Sequence, residues 1–298
     1  MPSLTIGRDL PEAQCVIDAE FAATAPFNGT VDRAISFAAD ERYLQRALDN
    51  PHVVAVIVPE ALADRGREMA EAAGKGLCLH ATPRDLFFRL HNRLVEAWLA
   101  ALPGPRIAAG ARVADSARVH PGAVIGERVE IADLAVIGPG VELAAGAYVG
   151  EGALVGVVGH FEHASAGARF RVQHGGRLYV GENTQILPGA IVQRDVYANE
   201  TRIERNVSIG PGVKLGHGVM VGEGTTVTGG TTVAGFTRIG QRVFIGPNAT
   251  IGNNLTLGDG CRCEIGAVVI KDVSAGGRVS GNFAGRHTET VRDWARRQ

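Results

Sequence analysis

An aliphatic residue recurs at every sixth position in two long stretches of the chain. The anchors of the first are Ile107, Val113, Val119, Ile125, Ile131, Ile137, Leu143, Val149 and Val155. Those of the second are Ile203, Ile209, Leu215, Val221, Val227, Val233, Ile239, Ile245, Ile251 and Leu257, with Cys263 in register and Val269 closing. Neither a helix nor a flat sheet has this period. A chain that turns a corner every six residues does, because each short strand then sends one aliphatic side chain into a narrow three-sided core. Small or β-branched residues stand two positions before the anchors, as at Ala123, Val129, Ala135, Val207, Thr225, Thr231 and Thr237. Glycine follows many anchors, as at Gly126, Gly210, Gly216 and Gly246, where it supplies backbone freedom and close approach at a corner. The pattern predicts a parallel β-helix of hexapeptide repeats, about 18 residues to the coil.

The repeat spans residues 106–273 and is interrupted at 157–177. Phase resumes at Val180, Ile186 and Val192, and the step from Val192 to Ile203 is one residue short of two repeats. Residues 1–105 do not repeat. Val53 to Val58 is a continuous apolar run ended by Pro59, which fits a buried strand, and Leu77 to Leu79 fits another. Ala61 to Ala73 reads as a helix. A second helix starts at Thr82, with Pro83 in its first turn and Asp85 completing a capping box, and carries Phe87, Leu90, Leu94 and Trp98 along one side. A small α/β domain follows from these elements. Leu102-Pro103-Gly104-Pro105 links it to the repeats, and the tail, 274–298, predicts a short helix over 288–297.

Composition narrows the field. Glycine is 40 of 298 residues without a collagen triplet, and aromatics are only 5%, as a core of short aliphatics requires. A formal net charge of −1 argues against nucleic acid as a partner. Cys261 and Cys263 fall on core positions and read as small buried hydrophobes; with Cys15 and Cys78 they form no zinc or disulfide framework. Neither a signal peptide nor a membrane-spanning segment is present in the pattern, so a reducing cytoplasm is the expected compartment. A lone prism has flat sides and no deep pocket. A closed homotrimer creates grooves between prisms, where a small-molecule site is expected.

Histidines are the chemical candidates. His217 interrupts a glycine corner in Leu215-Gly216-His217-Gly218 and points outward with space around it. Coil arithmetic puts Asn199 or Glu200 one coil earlier and Gly235 one coil later. Glu200 is then placed to orient the imidazole of a general base, and a backbone N–H near Gly235 to meet oxyanion charge. His160, His163 and His174 cluster in the interruption, as substrate contacts, a three-histidine metal site or a solvated loop; substrate contacts without a metal are the reading adopted.

The whole chain resembles the UDP-3-O-acylglucosamine N-acyltransferase family of lipid A assembly. The carrying segments are Ile35 to Leu44, with Phe37 and Tyr43 six residues apart, Val56-Ile57-Val58-Pro59, Pro83-Arg84-Asp85, the His217 corner, Val227-Thr228-Gly229-Gly230 and Val233-Ala234-Gly235. The resemblance implies a uridine-binding N-terminal domain, a left-handed parallel β-helix, a C-terminal helical extension and a homotrimer. It implies acyl transfer from acyl carrier protein to the amine of a UDP-linked sugar. It assigns uracil stacking to Phe37 and Tyr43, the general base to His217, and a backbone donor to Gly235. Asn254 falls where the family has a second histidine, and so is expected to touch substrate. The sequence departs from the family at Gly210, where a carboxylate is usual, and at Gly159 to His163. A paralogue using coenzyme A and a short acyl group therefore stands beside the carrier-protein reading, as does a non-catalytic nucleotide-binding scaffold. A basic surface of Lys214, Arg238 and Arg286 is the expected docking place for the donor.

Overall fold

The computed structural model describes residues 3–165 and 168–281, with residues 286, 288, 292, 295 and 296 of the tail. The helix expected over 288–297 lies largely outside the described residues. The rest is a left-handed parallel β-helix carrying a small α/β unit at its N-terminal side.

Each coil has three two- to four-residue strands, and equivalent strands of successive coils pair in parallel to make three faces. The first face begins at Arg106–Ile107, the second at Arg112–Val113 and the third at Arg118–Val119. Ile107 pairs with Ile125 and Ile125 with Leu143, 18 residues on each time. The anchors fill one continuous core. The residues two positions earlier are buried beside them. Where these are threonines, the hydroxyl hydrogen-bonds a carbonyl across the coil: Thr225 to Gly240, Thr231 to Gly246 and Thr237 to Gly252. Cys261 and Cys263 are buried core residues with free thiols.

Most corners turn on a left-handed residue three positions past the anchor, such as Gly140, Asn206, Gly218 and Asn254. The glycines directly after the anchors, Gly156 excepted, do not use that conformational freedom. They are there for close approach: a Cβ on Gly210 or Gly216 would stand 2.6 Å from the Gly229 or Gly235 nitrogen of the next coil. Phe236 is the unusual corner residue, a bulky ring held at φ 60°.

The N-terminal unit is a five-stranded sheet ordered Gln14–Ile17, Gly76–Leu79, Val53–Val58, Ala34–Phe37, Ala23–Thr24, parallel except for the first pair. Val53–Val58 is apolar throughout because both its faces are covered. Val56 and Val58 pack under the helices Glu41–Asp49 and Ala63–Ala73, whereas Ala55 and Ile57 pack under Pro83–Ala100. The capping box expected at Thr82 does not form. Thr82 makes no side-chain cap, and the Asp85 carboxylate turns to the interruption instead, meeting His163 and Ser165. No helix among the described residues is long and apolar enough to cross a membrane.

The two irregularities share one corner. Leu143 pairs with Val180, 37 residues on, and Val180 with Ile203, 23 on, against 18 elsewhere. The excesses, 37 − 18 = 19 and 23 − 18 = 5 residues, both leave the helix between the third face and the first. The step from Val192 to Ile203 is therefore one side plus five residues, not two sides less one. The longer excess projects an antiparallel hairpin, Glu162–Ser165 with Ala168–Arg171. Its flanks dock on the Pro83–Ala100 helix. Asn92 donates to the Arg171 carbonyl and accepts from the Gln173 N–H, both at 2.8 Å. His91 Nε2–H donates to the Gln173 carbonyl at 2.8 Å, leaving Nδ1 to accept from the Thr24 hydroxyl at 2.7 Å.

Candidate active site

His217 occupies the same corner in the coil directly after the two insertions. Its imidazole is half-buried and boxed by three rings meeting it edge to face: Phe236 at 4.9 Å, His174 at 5.5 Å and Phe161 at 6.0 Å between centroids. Burial lowers its pKa from the ordinary histidine value, so at neutral pH the ring is an unprotonated proton acceptor. Nδ1 faces Gln193 Oε1 at 3.4 Å, a contact that favours the proton on Nδ1 and leaves the lone pair on Nε2. Nε2 lies over Gly235, where a Cβ would stand 2.6 Å away. Gly235 is thus the seat of the ring. It is itself buried, and its N–H has no acceptor among the described residues.

Behind the His217 ring, His174 is fully buried. Its Nε2 accepts from the Gly159 N–H at 3.2 Å, Nδ1 has no partner, and burial pushes its pKa down to about 3. Arg194 is also buried. Its guanidinium bonds the His174 and Gly156 carbonyls at 2.9 Å each, fastening the two insertions together. The five inserted residues also bring Asp195, 3% exposed, against the backbone of Gly218. Burial raises its carboxyl to about 6.

A cleft of ≈ 620 Å³ opens beside this corner. One wall is the first face and the corner itself, with Asp195, Gly218, Met220, Phe236, Arg238 and Asn254. Phe161 and Tyr197 come from the insertions, and the opposite wall is the 26–30 loop of the N-terminal unit. Asn199 Nδ2 donates to Thr30 Oγ1 at 3.1 Å across the junction. His217 is not on the cleft wall, though its neighbours Phe161, Gly218 and Phe236 are.

The residues singled out in the sequence are only partly gathered here. His217, Gly235, Asn254 and Arg238 meet at the corner or its cleft. Glu200 lines the cleft but does not orient the imidazole: its carboxylate bonds Arg202 at 2.8 Å, and the five extra residues put Gln193 at Nδ1 instead. His174 is too buried to touch substrate and serves as a wall for His217. His163 is buried on Asp85 at 2.5 Å, and His160 is exposed, so the three histidines do not converge. Phe37 packs in the core against Phe87 and Phe88, while Tyr43 stands against Phe27. The two rings sit in separate packing environments. Lys214 lies on the third face and Arg238 on the first, with Arg286 exposed beyond the last coil. Phe161, Gln193, Asp195 and Phe236 were not foreseen. The Val192–Ile203 spacing was the signal for Asp195 and Gln193, and a phenylalanine at a glycine-type corner position was the signal for Phe236.

Residues 200–235, which include His217 and Gly235, match the family model "Bacterial transferase hexapeptide (six repeats)". No curated protein matches the chain. Among solved structures it is similar to the UDP-N-acetylglucosamine O-acyltransferase of Moraxella catarrhalis, at 22% identity over 64% of this chain and 76% of that one, TM-score 0.46. It is similar to the UDP-N-acetylglucosamine acyltransferase of Campylobacter jejuni, at 20% over 58% and 65%, TM-score 0.42. A third is the GDP-perosamine N-acetyl transferase of Caulobacter crescentus in complex with CoA and GDP-perosamine, at 16% over 83% and 76%, TM-score 0.26.

Proposed function

We propose that this protein is an N-acyltransferase that moves an acyl group from a carrier-protein or coenzyme A thioester to the amine of a UDP-linked amino sugar, with His217 as general base. The observation that carries the reading is the neutral imidazole, boxed by three rings at the one corner where both insertions leave the helix, beside the ≈ 620 Å³ cleft. A structural corner needs no such histidine: the position two past the anchor is proline, glutamate, aspartate or glycine at most other corners, as at Pro211, Glu223, Gly229 and Asp259. The match of 200–235 to a hexapeptide transferase model is consistent with it.

In this mechanism the sugar amine attacks the thioester carbonyl, and His217 Nε2 takes the proton that the nitrogen sheds. The tetrahedral intermediate collapses with cleavage of the C–S bond, giving an amide and a thiol that takes up the proton from the imidazolium. The Gly235 N–H, without a described acceptor, is the donor assigned to the oxyanion. The nucleotide lies in the cleft, with Phe27 as its aromatic surface and Tyr43 behind that ring; Phe37 shapes the core beneath. Asn254 and Arg238 border the same cleft and are assigned to substrate and donor. A homotrimer in the cytoplasm, with neighbouring prisms closing the cleft, completes the proposal, and light scattering reads the subunit number.

The test is turnover of acyl-carrier and acyl-coenzyme A thioesters with UDP-amino sugars. His217→Gln should lose about 10²–10⁴-fold in kcat with little change in UDP affinity. Full turnover by that variant would remove His217 as base. UDP binding with no transfer from either donor to any amino sugar would favour a scaffold.

A further inference from the structure

The Asp195 carboxylate is 3% exposed and lines the cleft. It accepts only backbone N–H groups, from Tyr197 at 3.2 Å and from Val196. No cationic side chain pairs with it among the described residues. Its neighbour Arg194 is turned the other way, onto the His174 and Gly156 carbonyls. Its Oδ2 is directed at the residue after the base: a Cβ on Gly218 would stand 3.1 Å from that oxygen. A buried carboxylate without a cation is costly, and such groups persist where a ligand supplies the missing charge.

Three further facts fix what that ligand group is. The carboxylate sits in the five-residue insertion, outside the repeat, so no core packing demands an acid there. A neutral hydroxyl would give it a hydrogen bond but no counter-charge, whereas an ammonium supplies both. The corner it abuts carries the half-buried imidazole of His217.

We infer that Asp195 is the residue that selects an amino over a hydroxyl acceptor, by pairing with the substrate's ammonium in the cleft beside His217. This rests on the proposed nucleotide-sugar acylation and adds the selectivity to it. The ammonium is held next to the base, loses a proton before or as it attacks, and leaves Asp195 ionised. Asp195 is here a binding and specificity residue; the proton goes to His217. A sugar with a hydroxyl at the same carbon would enter the cleft but leave the carboxylate unpaired.

The experiment measures affinity of the full chain for UDP and for UDP-hexoses carrying an amine at carbon 2, 3 or 4, each beside its hydroxyl counterpart. Wild type and Asp195→Asn are compared, with Asp195→Ser as a second, smaller variant. For at least one pair, wild type should prefer the amine by about tenfold or more, the scale of one charge-assisted hydrogen bond. In both variants that preference should fall below about threefold, with affinity for UDP and the hydroxyl sugars unchanged. Preference surviving in the variants, or UDP sugars binding with no amine preference in wild type, overturns the assignment of Asp195 and leaves the acylation reading standing. Absence of all uridine nucleotide binding overturns both.

Discussion

Acid should loosen this protein, and two buried histidines set the size of the effect. His91 and His174 are both held neutral by burial, with folded pKa values lowered from 6.5 to about 4 and about 3. A histidine whose folded pKa is depressed binds fewer protons folded than unfolded, so stability falls as pH drops through 6.5 and keeps falling to the folded value. By linkage each should cost about 2 kcal/mol between about pH 7 and about pH 5, or about 4 together. Asp195 opposes this. Its carboxyl is raised from 3.8 to about 6, so the folded state takes up the extra proton and stability is regained as pH falls through 6. That returns about 1.4 kcal/mol over the same interval, leaving a net loss of about 2.5 kcal/mol. Urea unfolding followed by circular dichroism at several pH values reads it as a fall in midpoint. His91→Gln keeps a donor for the Gln173 carbonyl and an acceptor for Thr24, and His174→Gln keeps an acceptor for the Gly159 N–H. Each should cut the net loss over this interval by about three-quarters, to about 0.6 kcal/mol. Asp195→Asn should steepen it. If the glutamine variants lose stability with pH as fast as wild type, these two imidazoles are not the groups being protonated.

Gly235→Ala probes the seat of the base. Gly235 is not left-handed, so the backbone accepts alanine, but the methyl displaces the imidazole; kcat should fall about 10²-fold, with the melting temperature nearly unchanged. Arg194→Met leaves the His174 and Gly156 carbonyls buried without donors and should cost about 1–3 kcal/mol per carbonyl in urea unfolding. Asp85→Ala unties His163 and Ser165, so amide exchange should quicken in residues 162–171 while the coils keep their protection.

The period-six anchors carried the β-helix because each one is read by a single local requirement, an aliphatic side chain at a corner-bounded strand. The N-terminal strands and helices were legible for the same reason: Val53–Val58 and the Phe87, Leu90, Leu94 stripe each carry their own periodicity. The candidate corner was legible in part: His217 stands out as the histidine between two corner glycines, and coil arithmetic led from it to Gly235. Asp195 and Gln193 were hidden because the Val192–Ile203 interval has two readings by length alone, and only the hydrogen-bond ladder distinguishes them. Phe37 and Tyr43 have a suggestive spacing, but side-chain direction separates them: one ends a strand facing the Pro83–Ala100 helix and the other lies in the first turn of the Glu41–Asp49 helix beside Phe27. The expected capping box failed because Asp85 found stronger partners in a hairpin about eighty residues away along the chain.

The docking of the Pro83–Ala100 helix on residues 171–175 also bears on synthesis. The N-terminal sheet and its helices leave the ribosome first, but His91 Nε2 and the Asn92 amide lack their partners until Arg171 and Gln173 have been made. Three coils must be wound in the interval, since residues 106–156 separate the two. A nascent chain stalled between them would expose this apolar and polar seam together, the kind of surface that chaperones bind and that exchanges between copies. Completion of the hairpin then closes the seam and sets Phe161 and His174 in place, the two rings against which His217 comes to rest once its own coil is wound.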